Sequence, residues 1–334
     1  MKGKMFLVGI FTLLNILVIV TVLPRTFGIS SRAATNKEYA GSNMNPYVSC
    51  PPSPSPVPTP TPTPGNDCMT YHGNLIMTGN INVYIINWFD GEQPPANYVS
   101  LIQQFYNDLS GTQGGQTFYN ILNQYPDHTG NYPTDVTLAG TWEDDSTPYP
   151  CNQGICKLDA ADILAEVETA MSQNSSWPQG GSYANYFAVY TLDGAQSSVG
   201  CAFHGASSVS GNAPTIYGYV QLAGVGPSCP PPTIYPNCAK CDSAINRSAH
   251  EMFEAVTDPL TPTPYPSGWY NVGGGGSAGG GEIADLCGGQ YGPTPYPYDN
   301  GKANQDWVSG SQDHYYLIQE MWSNSADACT TGNA

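Results

Sequence analysis

The sequence predicts a single disulfide-bonded domain of the α+β class (mixed α/β), built on a mixed sheet and one helix that carries clustered ionisable side chains. Three observations support this fold class. Strand patterns alternate with helix patterns along residues 81–256. The chain contains ten cysteines, which is an even number. Its 334 residues are enough to bury a sizeable core.

The N-terminal segment predicts export. Lys2 and Lys4 precede an uninterrupted apolar run over residues 5–23, which is the pattern of a secretory signal. The run is also nearly long enough to span a bilayer as a helix. Residues 1–34 are therefore interpreted either as a cleaved signal peptide or as a retained membrane anchor. We expect contact with a membrane only through this segment.

Residues 35–64 are interpreted as a disordered linker. Residues 51–64 read PPSPSPVPTPTPTP, and Pro that alternates with Thr or Ser favours an extended spacer without a core. We therefore expect the folded domain over residues 65–334.

The predicted domain contains helices and strands in alternation. Runs rich in β-branched and aromatic residues predict strands, and apolar residues at helical spacing predict helices. Asp159 is the expected N-cap of the third helix. The predicted strands are 81–88, 135–142, 186–192, 216–222 and 315–322, and the predicted helices are 95–109, 118–125, 159–171 and 242–256.

The charge composition argues against a nucleic-acid partner. Nine Lys and Arg residues stand against 26 Asp and Glu, and the net charge is −17. Such a chain offers no basic stripe to neutralise phosphates. The acidic field serves either solubility or the attraction of divalent cations and basic substrates. The low charged fraction, 10%, is typical of an extracellular surface.

The cysteines predict disulfides, because an exported protein matures in an oxidising compartment. Cys238 and Cys241 form a CxxC pair that could instead be half of a zinc knuckle or a redox pair, but the chain has no second CxxC. Cys201 lies three residues before His204, so a thiol nucleophile with a base is the alternative to a disulfide there. The sequence leaves the pairing open.

The last predicted helix carries a metal-binding motif, His250-Glu251-Met252-Phe253-Glu254. Residues four apart share one helix face, so His250 and Glu254 can hold one ion while Glu251 lies beside them. In the related HExxH pattern the first Glu is the general base of a zinc protease. The alternative interpretation is a structural histidine with two solvated helix carboxylates.

Residues 250–258 resemble the active-site helix of thermolysin-like metalloproteases, HExxHAVTD, with Glu254 in place of the second histidine. The resemblance implies a third ligand from a downstream segment with a Glu and an Asp. Here that segment is GEIAD, residues 281–285, and its spacing is one residue shorter. By resemblance Glu282 is the third zinc ligand, and Asp285 orients His250 or replaces Glu282.

Glu254 stands where the related proteases have their second histidine. One histidine with two carboxylates binds zinc less selectively than two histidines with one carboxylate. The extra negative charge is also expected to raise the pKa of a metal-bound water and so to weaken it as a nucleophile. A histidine from elsewhere could complete the ligand set, and the candidates are His72, His204 and His314. By the same resemblance Asp258 is expected to contact the metal ligands without binding the metal itself. A separate run of carboxylates over residues 143–145 suggests calcium, although such a run is usually a solvated turn.

Several runs in consistent order resemble the phosphate-induced protein 1 family, also called Exordium-like proteins. They are YHG (71–73), GNINVYI (79–85), CAFHG (201–205), AHEMFE (249–254), EIADLC (282–287) and YLIQE (316–320). The resemblance covers residues 71–329 and departs from the family over residues 224–241. It implies a secreted or wall-associated protein more firmly than any reaction.

These patterns predict a secreted zinc-dependent hydrolase with a zincin-like domain, acting on peptide or protein substrates. His250, Glu254 and Glu282 would hold zinc, with Glu251 as general base. The alternative is a non-enzymatic extracellular or cell-wall protein with a structural metal, whose 23 tyrosines contribute to a surface for wall polymers, carbohydrate or a partner. A closed ligand set favours the alternative, and an open coordination position favours the enzyme.

Overall fold

The computed structural model describes residues 68–73, 75–111, 113–151, 156–207, 213–224, 233–260, 268–272, 280–298 and 301–332. The chain divides into two units, Met1–Met44 and Asn45–Ala334. The first unit, the predicted export segment 1–34 and the linker 35–64 lie outside the described residues. Within the described part, no helix is both long and apolar enough to cross a membrane.

The described helices and strands follow one another as a mixed α/β chain. The helices are α1 (Tyr98–Leu109), α2 (Gln116–Tyr119), α3 (Ala160–Gln173) and α4 (Ala239–Thr257), with 3₁₀ helices at Asn120–Gln124 and Asp285–Cys287. The strands are β1 (Thr70–Tyr71), β2 (Gly79–Trp88), β3 (Pro133–Asp144), β4 (Cys156–Leu158), β5 (Asn185–Thr191), β6 (Ala195–Ser197), β7 (Ala202–Ala206), β8 (Ile216–Gln221), β9 (Trp269–Tyr270), β10 (Tyr296–Tyr298), β11 (Gly301–Ala303), β12 (Gln305–Ser309), β13 (Gln312–Tyr316), β14 (Met321–Ser323) and β15 (Ala328–Thr330).

A five-stranded mixed sheet organises the domain, with the order β3-β2-β5-β8-β7. The first four strands in this order run parallel to one another. Strand β7 pairs with β8 in the antiparallel direction and lies at the edge. The remaining described strands form two-stranded sheets, and β1 pairs with β9 across nearly 200 residues of chain. The expected mixed sheet is therefore confirmed.

Two hydrophobic cores cover the two faces of this sheet. Side chains of a strand alternate between its faces, and β2 accordingly divides its apolar residues between the cores. Helices α1 and α4 contribute to the larger core, together with the β2 residues Ile81, Val83 and Ile85. Helix α3 contributes to the smaller core, together with Tyr84, Ile86 and Trp88.

Helix α3 begins where the sequence predicts it to begin. The side chain of Asp159 accepts the N–H groups of Ala161 at 2.8 Å and Asp162 at 3.2 Å. In return, the Asp162 carboxylate accepts the Asp159 N–H at 2.9 Å. This reciprocal capping box satisfies amides that have no partner within the helix.

Two predicted elements differ from the structure. The predicted helix 118–125 is a short α2 continued by a 3₁₀ helix. The predicted strand 315–322 is two strands, β13 and β14, because the segment between them bonds to other elements. The Gln319 N–H donates to the Asn246 side chain at 2.6 Å, and the Gln319 side chain donates to the Ala284 carbonyl at 2.9 Å.

Disulfides are present as predicted. Three join described residues: Cys151–Cys156, Cys238–Cys241 and Cys287–Cys329. Cys68 and Cys201 are also disulfide-bonded. Cys238 and Cys241 are bonded to each other, so they are not half of a zinc knuckle, and Cys201 is not a free thiol nucleophile. Disulfides are typical of an extracellular or otherwise oxidising location.

Candidate metal centre

Helix α4 positions the motif against the edge of the sheet. Its N-terminal turn is fixed by Asp242, whose carboxylate accepts the N–H groups of Asn237 at 2.9 Å and Cys238 at 2.8 Å. The helix packs on β7 and β8. Its apolar residues enter the larger core, and they include Ile245, Ala249, Met252, Phe253 and Val256.

His204 lies in β7 and points into a group of carboxylates. Its Nδ1 lies 3.4 Å from Glu251 Oε2 and 3.6 Å from Glu254 Oε2. Its Nε2 lies 3.5 Å from Glu282 Oε1 and 3.2 Å from the backbone carbonyl oxygen of Asp258. A histidine that contacts a backbone carbonyl through one ring nitrogen keeps the other nitrogen for a ligand or a proton.

His250 contacts a different pair of carboxylates. Its Nε2 lies 3.1 Å from Glu254 Oε1 and 3.5 Å from Asp285 Oδ1. The backbone N–H of Asp285 also donates to Glu254 Oε1 at 3.1 Å. The motif residue Glu254 therefore faces His204 with one oxygen and His250 with the other.

Two groups of side chains could each hold a metal ion. We name the first the 204 set, which is His204, Glu254 and Glu282, and the second the 250 set, which is His250, Glu254 and Asp285. Within each set one donor atom per residue lies within 4.8 Å of the others. The combination expected from sequence, His250 with Glu254 and Glu282, is divided between the two sets.

The segment that brings Glu282 and Asp285 to the helix depends on glycine. The Asn271 N–H donates to the Gly281 carbonyl at 2.8 Å. A Cβ at Gly281 would collide with the Asn271 carbonyl oxygen, and a Cβ at Gly280 would collide with the Asp285 carboxylate. Only glycine permits so close an approach of the backbone.

The centre is buried and strongly acidic. The side chains of His204, Glu251 and Glu254 are only 4%, 6% and 4% exposed. Among the residues that the structure describes, no Lys or Arg forms an ion pair with Glu251, Glu254, Glu282 or Asp285. Carboxylates in such a place need protons, the two histidines or a cation as counter-charge.

The histidines carry that counter-charge in the absence of a metal. Burial by itself lowers the pKa of His204, but the charges of Glu282 and its neighbouring carboxylates outweigh burial and hold the pKa well above its usual value. The pKa of His250 is raised in the same way, against burial, chiefly by the charge of Glu254. Both imidazoles are therefore drawn towards the protonated form.

The pKa values of the three glutamates shift in different directions, because burial raises them and the nearby histidines lower them. Burial raises the pKa of Glu251, and His204 opposes the shift. Burial also raises the pKa of Glu282 well above its usual value, assisted by the charge of Glu254. For Glu254 the positive charges of His250 and His204 outweigh burial and lower the pKa. Of these three glutamates, only Glu254 has a pKa that is lowered, which favours its anionic form.

Of the other predicted residues, Asp258 lies beside the centre, whereas His72 and His314 lie outside both sets. Asp258 is fully buried, its backbone contacts His204, and its side chain accepts the Gly268 N–H at 3.0 Å. His72 is exposed and contacts Thr70 Oγ1 and the Tyr270 carbonyl oxygen, at 3.1 and 3.2 Å, and it belongs to neither set. His314 pairs with Asp108 at 2.6 Å and likewise belongs to neither set.

The carboxylate run at 143–145 forms no metal-binding group within the described residues. Asp144 is buried rather than solvated, and its Oδ1 accepts the N–H groups of Ser146 and Thr147, both at 2.8 Å. This carboxylate therefore stabilises a turn. The calcium alternative at this place gains no support from the geometry.

Sequence reasoning missed Arg247. The Arg247 side chain lies on α4, four residues before Glu251, and donates to the Gln221 carbonyl oxygen at 3.4 Å. Burial lowers its pKa, and the charges of Tyr98, Tyr291 and Glu251 oppose the shift. The spacing of four residues from Glu251, in a chain with nine Lys and Arg residues, is the signal that could have identified it.

Comparisons with family models, with characterised proteins and with solved structures find no match to this chain. The resemblance to Exordium-like proteins stays a prediction. We therefore infer the function from the chemistry of the centre itself.

Proposed function

We propose that this protein is an exported zinc-dependent hydrolase with a zincin-like domain, and that its substrates are peptides or proteins. The observation that carries the proposal is the convergence of three distant segments on one buried centre. Strand β7 supplies His204, helix α4 supplies Glu251 and Glu254, and the 282–285 segment supplies Glu282.

The donor chemistry of the centre fits a zinc ion. Zinc accepts imidazole nitrogen and carboxylate oxygen together, commonly in sites with three protein ligands. The 204 set provides one imidazole and two carboxylates. Glu282 Oε1 is also buried without a hydrogen-bond partner, which is costly unless a cation or proton satisfies it. These contacts favour His204 over His250 as the imidazole that joins Glu254 and Glu282.

Glu251 is the proposed general base. It contacts His204, so it lies beside the 204 set without belonging to it. Burial raises its pKa, and a raised carboxyl pKa suits a group that takes a proton from water and returns it to a leaving amine. When bound, zinc supplies Lewis acidity, which polarises the scissile carbonyl and acidifies the attacking water.

The position of the centre favours an extended peptide as substrate. Strand β7 carries His204 at the edge of the sheet, and among the described strands only β8 pairs with it. A peptide can add to such an edge as a further strand, with backbone hydrogen bonds for affinity. The mixed sheet with the motif helix packed on it supports the proposal that the domain is zincin-like.

The proposed location is extracellular or at the cell surface. The disulfides support an oxidising compartment. The N-terminal segment 1–34 would act as the export signal or as a retained anchor.

The test is peptide hydrolysis by the purified full-length chain, with zinc content measured on the same sample. For Glu251→Gln we expect hydrolysis to fall by a factor of about 100 or more, with zinc content and fold unchanged. Glu168→Gln is the control, because Glu168 is an exposed carboxylate on α3. Equal hydrolysis by Glu251→Gln and the control would contradict the proposal for Glu251.

The enclosure of the centre favours a second candidate function. The closed environment of His204 and Glu254, each with a side chain 4% exposed, also suits a structural metal in a non-enzymatic wall-binding protein. In that case the protein would retain zinc yet show no hydrolysis of a broad peptide library, and Glu251→Gln would change neither property.

A further inference from the structure

The carboxylate of Glu254 connects two separate groups of donors. Its Oε2 lies 3.6 Å from His204, and its Oε1 lies 3.1 Å from His250. One oxygen of Glu254 thus faces each histidine. A single ion would use one set and leave the other histidine beside an unused carboxylate.

The two sets have matching chemistry. Each contains one imidazole, the shared Glu254, and one further carboxylate from the 282–285 segment. Glu282 serves the 204 set, and Asp285 serves the 250 set. The backbone N–H of Asp285 donates to Glu254 Oε1, which fixes the position of the shared carboxylate.

The charge of the centre is better matched by two cations than by one. Four carboxyl groups contact the two histidines: Glu251, Glu254, Glu282 and Asp285. If all four are ionised and both imidazoles are neutral ligands, one divalent cation leaves two negative charges uncompensated. A second divalent cation leaves none. Uncompensated charge is expensive in a buried site.

A second observation points to a ligand. Glu282 Oε1 is buried and has no hydrogen-bond partner, although it lies 3.5 Å from His204 Nε2. Buried carboxylate oxygens are nearly always satisfied by a donor or a cation. Glu282 is a member of the 204 set.

We propose that the centre holds two divalent cations, one in the 204 set and one in the 250 set, bridged by the carboxylate of Glu254. This inference rests on the proposed metal-dependent function and specifies its metal content. Hydrolases with two metal ions hold them about 3.5–4 Å apart and use both to stabilise the reacting oxygens. Asp285 would then be a ligand, not only a group that orients His250.

The first test is the stoichiometry of zinc binding. The full-length protein, freed of metal with a chelator, is titrated with zinc in a calorimeter, and its metal content is then measured by elemental analysis. We expect two zinc ions per chain. Asp285→Asn and Glu282→Gln should each retain one, whereas Glu254→Gln should lose both or bind them far more weakly. The control Glu168→Gln should retain two.

The outcomes separate this inference from the proposed function. One zinc ion per wild-type chain, with Asp285→Asn unchanged, would overturn the two-metal centre and leave a single-metal hydrolase standing. No zinc in the wild-type chain after reloading would overturn both.

A second measurement avoids the risk that the variants do not fold. The wild-type chain is loaded with manganese to saturation and its electron paramagnetic resonance spectrum is recorded. Two ions bridged by Glu254 should give an exchange-coupled spectrum. A spectrum of magnetically isolated manganese at saturation would refute the bridge.

Discussion

The buried carboxyl of Glu166 makes the stability of the fold depend on pH. Glu166 lies on α3, on the face of the sheet opposite α4, and is 2% exposed. Its Oε1 is buried, and its protonated carboxyl can donate a hydrogen bond to the carboxylate of Asp144. Burial, followed by the negative charge of Asp144, raises the pKa of Glu166 from 4.5 to about 8. The folded state therefore prefers the protonated form.

The sign of the effect follows from proton binding. Between about pH 4.5 and pH 8 the folded chain keeps a proton that the unfolded chain has released. The free energy of unfolding consequently falls as the pH rises through this window, by at most about 1.4 kcal/mol per pH unit. From pH 5.5 to pH 7.5 the contribution of Glu166 amounts to about 2–3 kcal/mol.

Glu166→Gln should remove this contribution, because glutamine is neutral at every pH. We expect the variant to match the wild type near pH 5 and to exceed it in stability near pH 8. The assay is guanidinium unfolding at a series of pH values, with the disulfides intact and the wild type measured alongside. Subtraction cancels the titration of the metal centre, which both chains share. Glu168→Gln, exposed on the same helix, should follow the wild type. Parallel curves for wild type and Glu166→Gln would refute the reasoning.

Three further substitutions test the metal centre, the glycine segment beside it and one disulfide. His204→Ala should lose the zinc ion of the 204 set, whereas His72→Ala should keep the zinc content of the wild type, as elemental analysis of the two variants would show. Equal metal content in the two variants would contradict the assignment. Gly281→Ala should lower both the melting temperature and the zinc content, because a Cβ there meets the Asn271 carbonyl oxygen, and an unchanged melt would refute this. Replacing Cys287 and Cys329 together by alanine should cost about 4 kcal/mol in the free energy of unfolding, measured by denaturant titration, since their bond spans 42 residues. A loss near zero would show that the bond does not stabilise the fold.

Local sequence patterns predicted those elements whose own residues carry a strong signal. Strand β2 shows a run of β-branched and aromatic residues, and α3 has its own capping box. Strand β7 was not predicted, because its small residues carry no strand signal and its pairing with β8 forms it. The break between β13 and β14 arises at Gln319, whose partners lie far away in the chain.

The sequence by itself determined that His250 and Glu254 lie on one helix face, because residues four apart on a helix point the same way. Only the tertiary structure decided that His204, 47 residues before Glu251, contacts carboxylates of that helix. It also assigned Glu282 to His204 and Asp285 to His250. The physical reason is that these contacts depend on the strand order of the sheet and on the packing of α4 against its edge, and residue spacing along a chain does not specify either.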